Sequence, residues 1–146
     1  MLSLSTKGRY ATRIITRLAL FDNNTRPARK KEIADAEAVS EDYTEQILVR
    51  LKAAGLVASH RGTKGGFSLA RTPEKITVTD VLNAMDGPLH IVPCMTEPCE
   101  RATECITRDL WHAAERALLT VFSGTTVADL ANRARMKTPS PLNYNI

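Results

Sequence analysis

Cysteine is almost missing from this 146-residue chain, and what there is of it sits in one place. The three cysteines, Cys94, Cys99 and Cys105, all fall within the stretch PCMTEPCERATEC. Three thiols crowded into twelve residues cannot staple a fold of this length, so the core has to be hydrophobic. Aromatic residues make up only 5%, and glycine and proline number seven each, which disfavours an all-β architecture with its many turns. No apolar run approaches the roughly 20 residues of a membrane helix. The opening MLSLSTKGRY has no apolar segment of signal-peptide length. Internal repeats and low-complexity tracts are absent as well. These absences point away from membranes and towards a reducing, cytoplasmic setting, where clustered cysteines more often bind metal or do redox chemistry than form disulfides.

What is present is an ordinary globular composition, 43% hydrophobic and 25% charged, with a net charge of +4. The charge is unevenly placed. Residues 1–70 carry 12 Lys and Arg against 7 Asp and Glu, whereas residues 71–146 carry 8 against 9. A basic first half suggests a polyanionic partner, although an excess of this size also arises in domains that bind none.

Periodicity predicts a helix over residues 6–21, with Tyr10, Ile14, Leu18 and Phe21 on one face and Arg9, Arg13 and Arg17 in a stripe. A loop, DNNTRP, leads to a short helix over 29–36. Ser40 is placed to cap a third helix, EDYTEQILVRLKAA, and Gly55 stands where a left-handed C-terminal cap belongs. Strands are expected at 56–59 and 67–70, joined by the glycine-rich tip HRGTKGG. A further short helix starts at Thr77 or Thr79 and ends at Gly87. A Pro- and Cys-bearing loop follows over 88–103. A long helix is expected over about 104–122, a last one over 126–135, and a loose tail after it.

Helix, short helix, capped helix and glycine-tipped hairpin is the order of a winged helix-turn-helix. The fold class expected is therefore mainly α, with a small β-hairpin wing and a long C-terminal dimerisation helix. In such a fold the third helix enters the major groove, which nominates Ser40, Tyr43, Glu45 and Gln46. The wing contributes His60, Arg61 and Lys64, and an arginine on a thin loop can enter a minor groove. The bland alternative is a tight hairpin and a solvated basic face on a protein-interaction module.

The long helix carries more apolar surface than a small core needs. Ile106, Leu110, Trp111, Ala114, Leu118 and Val121 are expected at a two-fold dimer interface, as a regulator on a palindromic operator requires. The cysteine spacing, C-x4-C-x5-C, lacks the C-x2-C knuckle of zinc sites and the C-x-x-C of redox pairs. Longer spacing suits a multi-iron cluster, and three free, oxidisable thiols in a loop are the alternative.

The stretches LSTKGRYA, YTEQILVRLKAAGLV, RGTKGGF and ITVTDVLNAMDGP resemble the Rrf-type family of bacterial winged-helix regulators that includes the iron–sulfur regulator IscR and the nitric oxide sensor NsrR. The resemblance covers residues 2 to 135. It implies that Thr6, Lys7 and Arg9 touch the phosphate backbone, and that Ser40, Tyr43, Glu45, Gln46 and Arg61 contact DNA. It implies an iron–sulfur cluster, 2Fe–2S or 4Fe–4S, held in each subunit by Cys94, Cys99 and Cys105. In IscR a histidine stands three residues after the last of these cysteines; here that position is Arg108. Asp109 is nominated as a fourth ligand, because helical spacing would put it on one face with Cys105. His112 would lie two turns from Cys105, about 10 Å away by helical rise. The partner subunit or a small molecule are the other sources.

The organisation expected is a DNA-binding domain over 1–87, a cluster loop over 88–103, dimerisation and final helices over 104–136, and a tail over 137–146. The function expected is a homodimeric, non-enzymatic transcription regulator that binds double-stranded DNA under the control of its cluster. Alternatives are a cluster-free regulator sensing thiol oxidation or a partner protein, and an iron–sulfur electron carrier.

Overall fold

The structure, a computed structural model, describes residues 3–21 and 26–137. Among these the chain is mostly helical, with one two-stranded antiparallel sheet. Helix α1 (Thr6–Phe21) buries Ala11, Ile14, Ile15 and Leu18, the residues that recur at helical spacing. Its start is capped by Ser5, whose hydroxyl oxygen accepts from the Gly8 N–H at 2.8 Å. Gly8 lies so close to a later helix that a Cβ would stand 3.0 Å from Leu82.

Helix α2 (Lys30–Glu37) ends on Ala38 in the left-handed region (φ 53°), which places α3 (Glu41–Ala53) across it. Ser40 caps α3 by accepting from the Tyr43 N–H at 3.2 Å, as its position predicts. The buried face of α3 is Thr44, Ile47, Leu48 and Leu51. The basic stripe of α1 is only partly a solvated face. Arg13 and Arg17 donate to the buried carboxylate of Glu37 at 2.8 and 2.7 Å, fastening α1 to the end of α2.

Strands β1 (Val57–His60) and β2 (Gly66–Leu69) form the wing, with Val57 opposite Leu69 and His60 opposite Gly66. A third segment joins them: Ala28 exchanges both backbone hydrogen bonds with Phe67, at 2.9 and 2.7 Å. This close approach needs glycine beside it, since a Cβ on Gly66 (φ 153°) would meet the Ala28 carbonyl oxygen at 2.4 Å. Each strand lies one residue from its expected place.

Helix α4 (Val78–Asp86) begins at Thr77 and is held by a reciprocal cap between Thr77 and Asp80. The long helix α5 runs over Arg108–Ser123 and starts four residues later than expected. Residues 101–107 form turns instead, so Cys105 and Ile106 precede the helix. The reason is local: the Arg101, Cys99 and Cys105 carbonyls accept tight turn hydrogen bonds from Glu104, Ala102 and Arg108. Within the expected loop, Pro93–Met95 forms one turn of 3-10 helix.

Helix α6 (Val127–Lys137) returns to the first half of the chain and packs on α1. The Val127 N–H donates to the Ile76 carbonyl at 2.8 Å and the Val78 N–H to Thr125 at 2.9 Å, while Val127 and Ala131 enter the core. Residues 22–25 of the expected loop DNNTRP, and the tail from 138 onwards, lie outside the described residues.

Candidate nucleic-acid interface and cysteine cavity

The capped α3 presents Glu41, Asp42, Glu45, Gln46, Val49 and Arg50 outward, because its other face is committed to the core. One cleft is lined by Lys7 of α1 together with Tyr43, Glu45, Gln46, Val49 and Arg50 of α3. Four of the residues nominated from the sequence thus meet in one place. Thr6 and Arg9 are exposed nearby in sequence but do not line the cleft.

The chemistry of each differs. The Ser40 oxygen is engaged as a cap, which leaves its hydrogen free to donate. Tyr43 is half-buried and meets the Tyr10 ring edge-on at 5.8 Å, and the Arg13 guanidinium lies 5.1 Å from the centre of that ring. Glu45 accepts from Lys30 at 2.7 Å, and this bond raises the Lys30 ammonium above its usual range. Gln46 is exposed and offers both an acceptor and donors.

Val49 escaped the sequence reading. It is 60% exposed, three residues beyond Gln46, and an apolar side chain there suits a thymine methyl. Its position off the apolar set Tyr43, Ile47, Leu48 and Leu51 was the available signal.

At the wing, Arg61 and Lys64 are fully displayed on the tip. His60 is engaged across the hairpin with Ser68 at 2.8 Å. Arg29 donates to the Thr63 carbonyl at 3.3 Å and ties the wing tip to the start of α2. The tip and the α3 cleft are separate features, and no described contact joins them.

The cysteines converge. Cys94, Cys99 and Cys105 line one small cavity at the foot of α5, closed by residues that include Arg108, Trp111 and His112. Its free volume is about 20 Å³, roughly one water. All three are free thiols. Among the described residues, no three His, Cys, Asp or Glu side chains are grouped closely enough for a single metal ion. Three thiols that share one cavity are donors of the type that iron–sulfur clusters take.

The Cys105 thiol is held below its usual range, first by a hydrogen bond from the Thr107 hydroxyl and then by the Thr107 N–H. The cause here is the turn before α5, with Thr107 itself at the N-cap. Asp109 is exposed and does not line the cavity. The face it was expected to share with Cys105 does not exist, because Cys105 is not helical.

The loop is also tied to α5 from its other end. The Ile91 N–H donates to Glu115 at 3.2 Å, and His90 lies 3.5 Å from the same carboxylate. Of the residues expected at a dimer interface, Ile106, Leu110, Trp111 and Val121 are exposed, and Ala114 and Leu118 are half-buried. No residue of α5 is buried.

Comparison with known proteins shows what such an arrangement accompanies elsewhere. Residues 4–133 match the family model described as Rrf2, iron-dependent transcriptional regulator. The regulator CymR of Bacillus subtilis is 36% identical over 90% of this chain and 91% of its own length. IscR of Aliivibrio salmonicida is 32% identical, over 88% of this chain and 77% of its own. Among solved structures, B. subtilis CymR, the global cysteine regulator, superposes with a TM-score of 0.78 at 38% identity, covering 91% of this chain and 98% of that one. IscR of T. potens superposes with a TM-score of 0.77 at 31% identity, covering 95% and 93%. These relatives are named as regulators, not enzymes. No helix among the described residues is long and apolar enough to cross a membrane.

Proposed function

Because this chain belongs to the Rrf2 family of DNA-binding transcriptional regulators, and is no enzyme, we propose that its operator binding is governed by an iron–sulfur cluster held by Cys94, Cys99 and Cys105. The observation that carries this reading is the convergence of all three thiols on one cavity at the foot of α5. When bound, such a cluster supplies electron transfer and exchangeable iron, on which oxygen, nitric oxide, redox poise or iron supply act.

The chain's own residues do the rest. Thr107 and Arg108 present N–H groups and a cation to Cys105 and favour its thiolate, the form that ligates. Glu115 holds the loop to α5. The exposed apolar face of α5, built on Leu110, Trp111, Ala114, Leu118 and Val121 with Ile106 before it, packs on a second copy to make a homodimer. That dimer places two α3 helices and two wings on a palindromic operator, in the cytoplasm where the DNA is. Ser40, Tyr43, Glu45, Gln46 and Arg61 contact bases or their sugars. Thr6, Lys7, Arg9 and Lys64 neutralise phosphate. Opening or closing of the loop shifts α5 and so the separation of the two half-site readers.

The test is the visible absorption and the iron and sulfide content of anaerobically purified protein. The parent should be coloured, with iron and sulfide in stoichiometric amounts. Cys94→Ala, Cys99→Ala and Cys105→Ala should each be pale. A colourless parent without iron overturns the reading. That outcome would favour a cluster-free regulator, for which the depressed Cys105 thiol is the supporting observation: it would sense thiol oxidation directly.

A further inference from the structure

Three thiols leave the coordination of a cluster incomplete, and the chain holds no fourth cysteine. The cavity narrows the choice of donor. Beside the cysteines, its lining offers Arg108, an obligate cation with no lone pair to give. Trp111 donates only, and Val92 and Ala102 have no donor atom at all. Met95 contributes a neutral thioether, a weak acceptor. His112 remains, and imidazole is a standard replacement for thiolate in cluster coordination.

The position of His112 follows from where α5 begins. If Cys105 were helical, the two residues would be separated by two turns. Cys105 instead lies in the turns before Thr107, which set it in the wall of the same cavity that His112 lines. Arg108 and His112 are one turn apart within α5 and line the cavity together. Arg108 is occupied in latching the loop, donating to the Ala102 carbonyl at 3.1 Å. The His112 imidazole is half-buried and engages no other described residue, so both ring nitrogens are available.

We propose that His112, from the same subunit as the three cysteines, is the fourth protein ligand of the cluster. This rests on the cluster reading above and deepens it. The ligand sits on the helix that also carries Leu110, Trp111 and Val121, so coordination would fasten the cysteine loop directly to the dimer face. In this way the state of the loop and the state of the dimer become one property of α5.

The chain has three histidines, His60, His90 and His112, which makes the assignment testable without touching the site. The full-length protein is purified anaerobically, assayed for iron and sulfide, and reduced with dithionite to its paramagnetic state. Electron spin echo modulation then detects directly bound nitrogen. A nitrogen coupling of the coordinated-imidazole type is expected in the parent. It should persist when His60→Gln and His90→Gln are combined, and vanish in His112→Ala. His112→Cys should regain a stable cluster without nitrogen coupling. A parent with full iron and sulfide but no such coupling overturns the assignment and leaves the cluster reading intact. Loss of the coupling in the variant that keeps His112 alone does the same, and does not depend on how His112→Ala folds. A parent that binds no iron overturns both.

Discussion

The winged half of this protein and its cysteine-bearing half differ in one plain respect. From Gly8 to Met85 every α-helix buries a face, and α6 adds Val127 and Ala131 to the same core. Between Met85 and Val127 no residue is buried at all. The exposed apolar side chains concentrate there: Ile106 is 97% exposed, Leu110 57% and Val121 60%. A helix of sixteen residues with its apolar stripe in water is unfinished as a single chain. The first half carries its own stability. The second leaves its apolar face open, the face that the proposed dimer would cover.

The same truncation in each half exposes this difference most directly, and with the largest effect. Leu48 is completely buried on α3. Leu48→Ala should cost about 2–5 kcal/mol by denaturant unfolding, at any protein concentration. Leu110→Ala removes the same atoms from an exposed site, and its cost should instead appear as a loss of association. Equal, concentration-independent costs at the two sites would erase the distinction between the halves. Leu110→Arg is the sharper probe of the same point. It should turn a dimer into a folded monomer by light scattering, since a charge buried in an interface is costly and one left in water is not. A dimer that survives it does not run through this face.

Within the finished half, the α3 cleft and the wing should separate by their response to salt. Arg61→Ala should weaken specific binding by about 1–3 kcal/mol if the wing reaches a base edge. Lys7→Ala should weaken binding to all sequences and lower the salt slope by about 1. If Arg61→Ala alters the salt slope alone, the wing touches only phosphate.

Much of this was legible in the residues. Ser40 and Gly55 mark the limits of α3, and the apolar spacing of α1 names its buried face. The wing declares itself by its glycines. What could not be read depends on distant packing. Nothing in residues 127–137 says that α6 will close on α1, and nothing around Ala28 announces a bridge to Phe67. Helical spacing misplaced the site most at its centre. CITRDLW is compatible with helix throughout, yet the turns that gather the cysteines delay α5 to Arg108. That delay leaves Asp109 outside the cavity and His112 in its lining. A backbone decision of four residues, taken by turn hydrogen bonds, therefore decides which side chains of α5 line the cavity.

The smallest effect expected lies at the start of α2, where the finished half supports the wing. Glu32 accepts from Arg26 and from the Arg29 N–H at 2.7 Å, and Arg29 in turn holds Thr63 at the wing tip. The Arg26 guanidinium, with the Arg29 N–H, depresses the Glu32 carboxyl from near 4.5 to about 2. A carboxylate with a depressed folded-state value stabilises the fold above its unfolded value, and that contribution is lost as pH falls through the folded one. Both partners are about a third or more exposed, so water screens most of the attraction. Glu32→Gln should therefore cost under about 1 kcal/mol at neutral pH. The difference between parent and variant should shrink as pH falls from about 4.5 towards 2, followed by denaturant midpoints at each pH. A gap that stays constant over that window would mean that shape, not charge, is what Glu32 supplies. If the gap closes while operator affinity of Glu32→Gln at neutral pH also falls, the cap of α2 sets the wing as well as the helix. Unchanged affinity would confine its effect to the packed half.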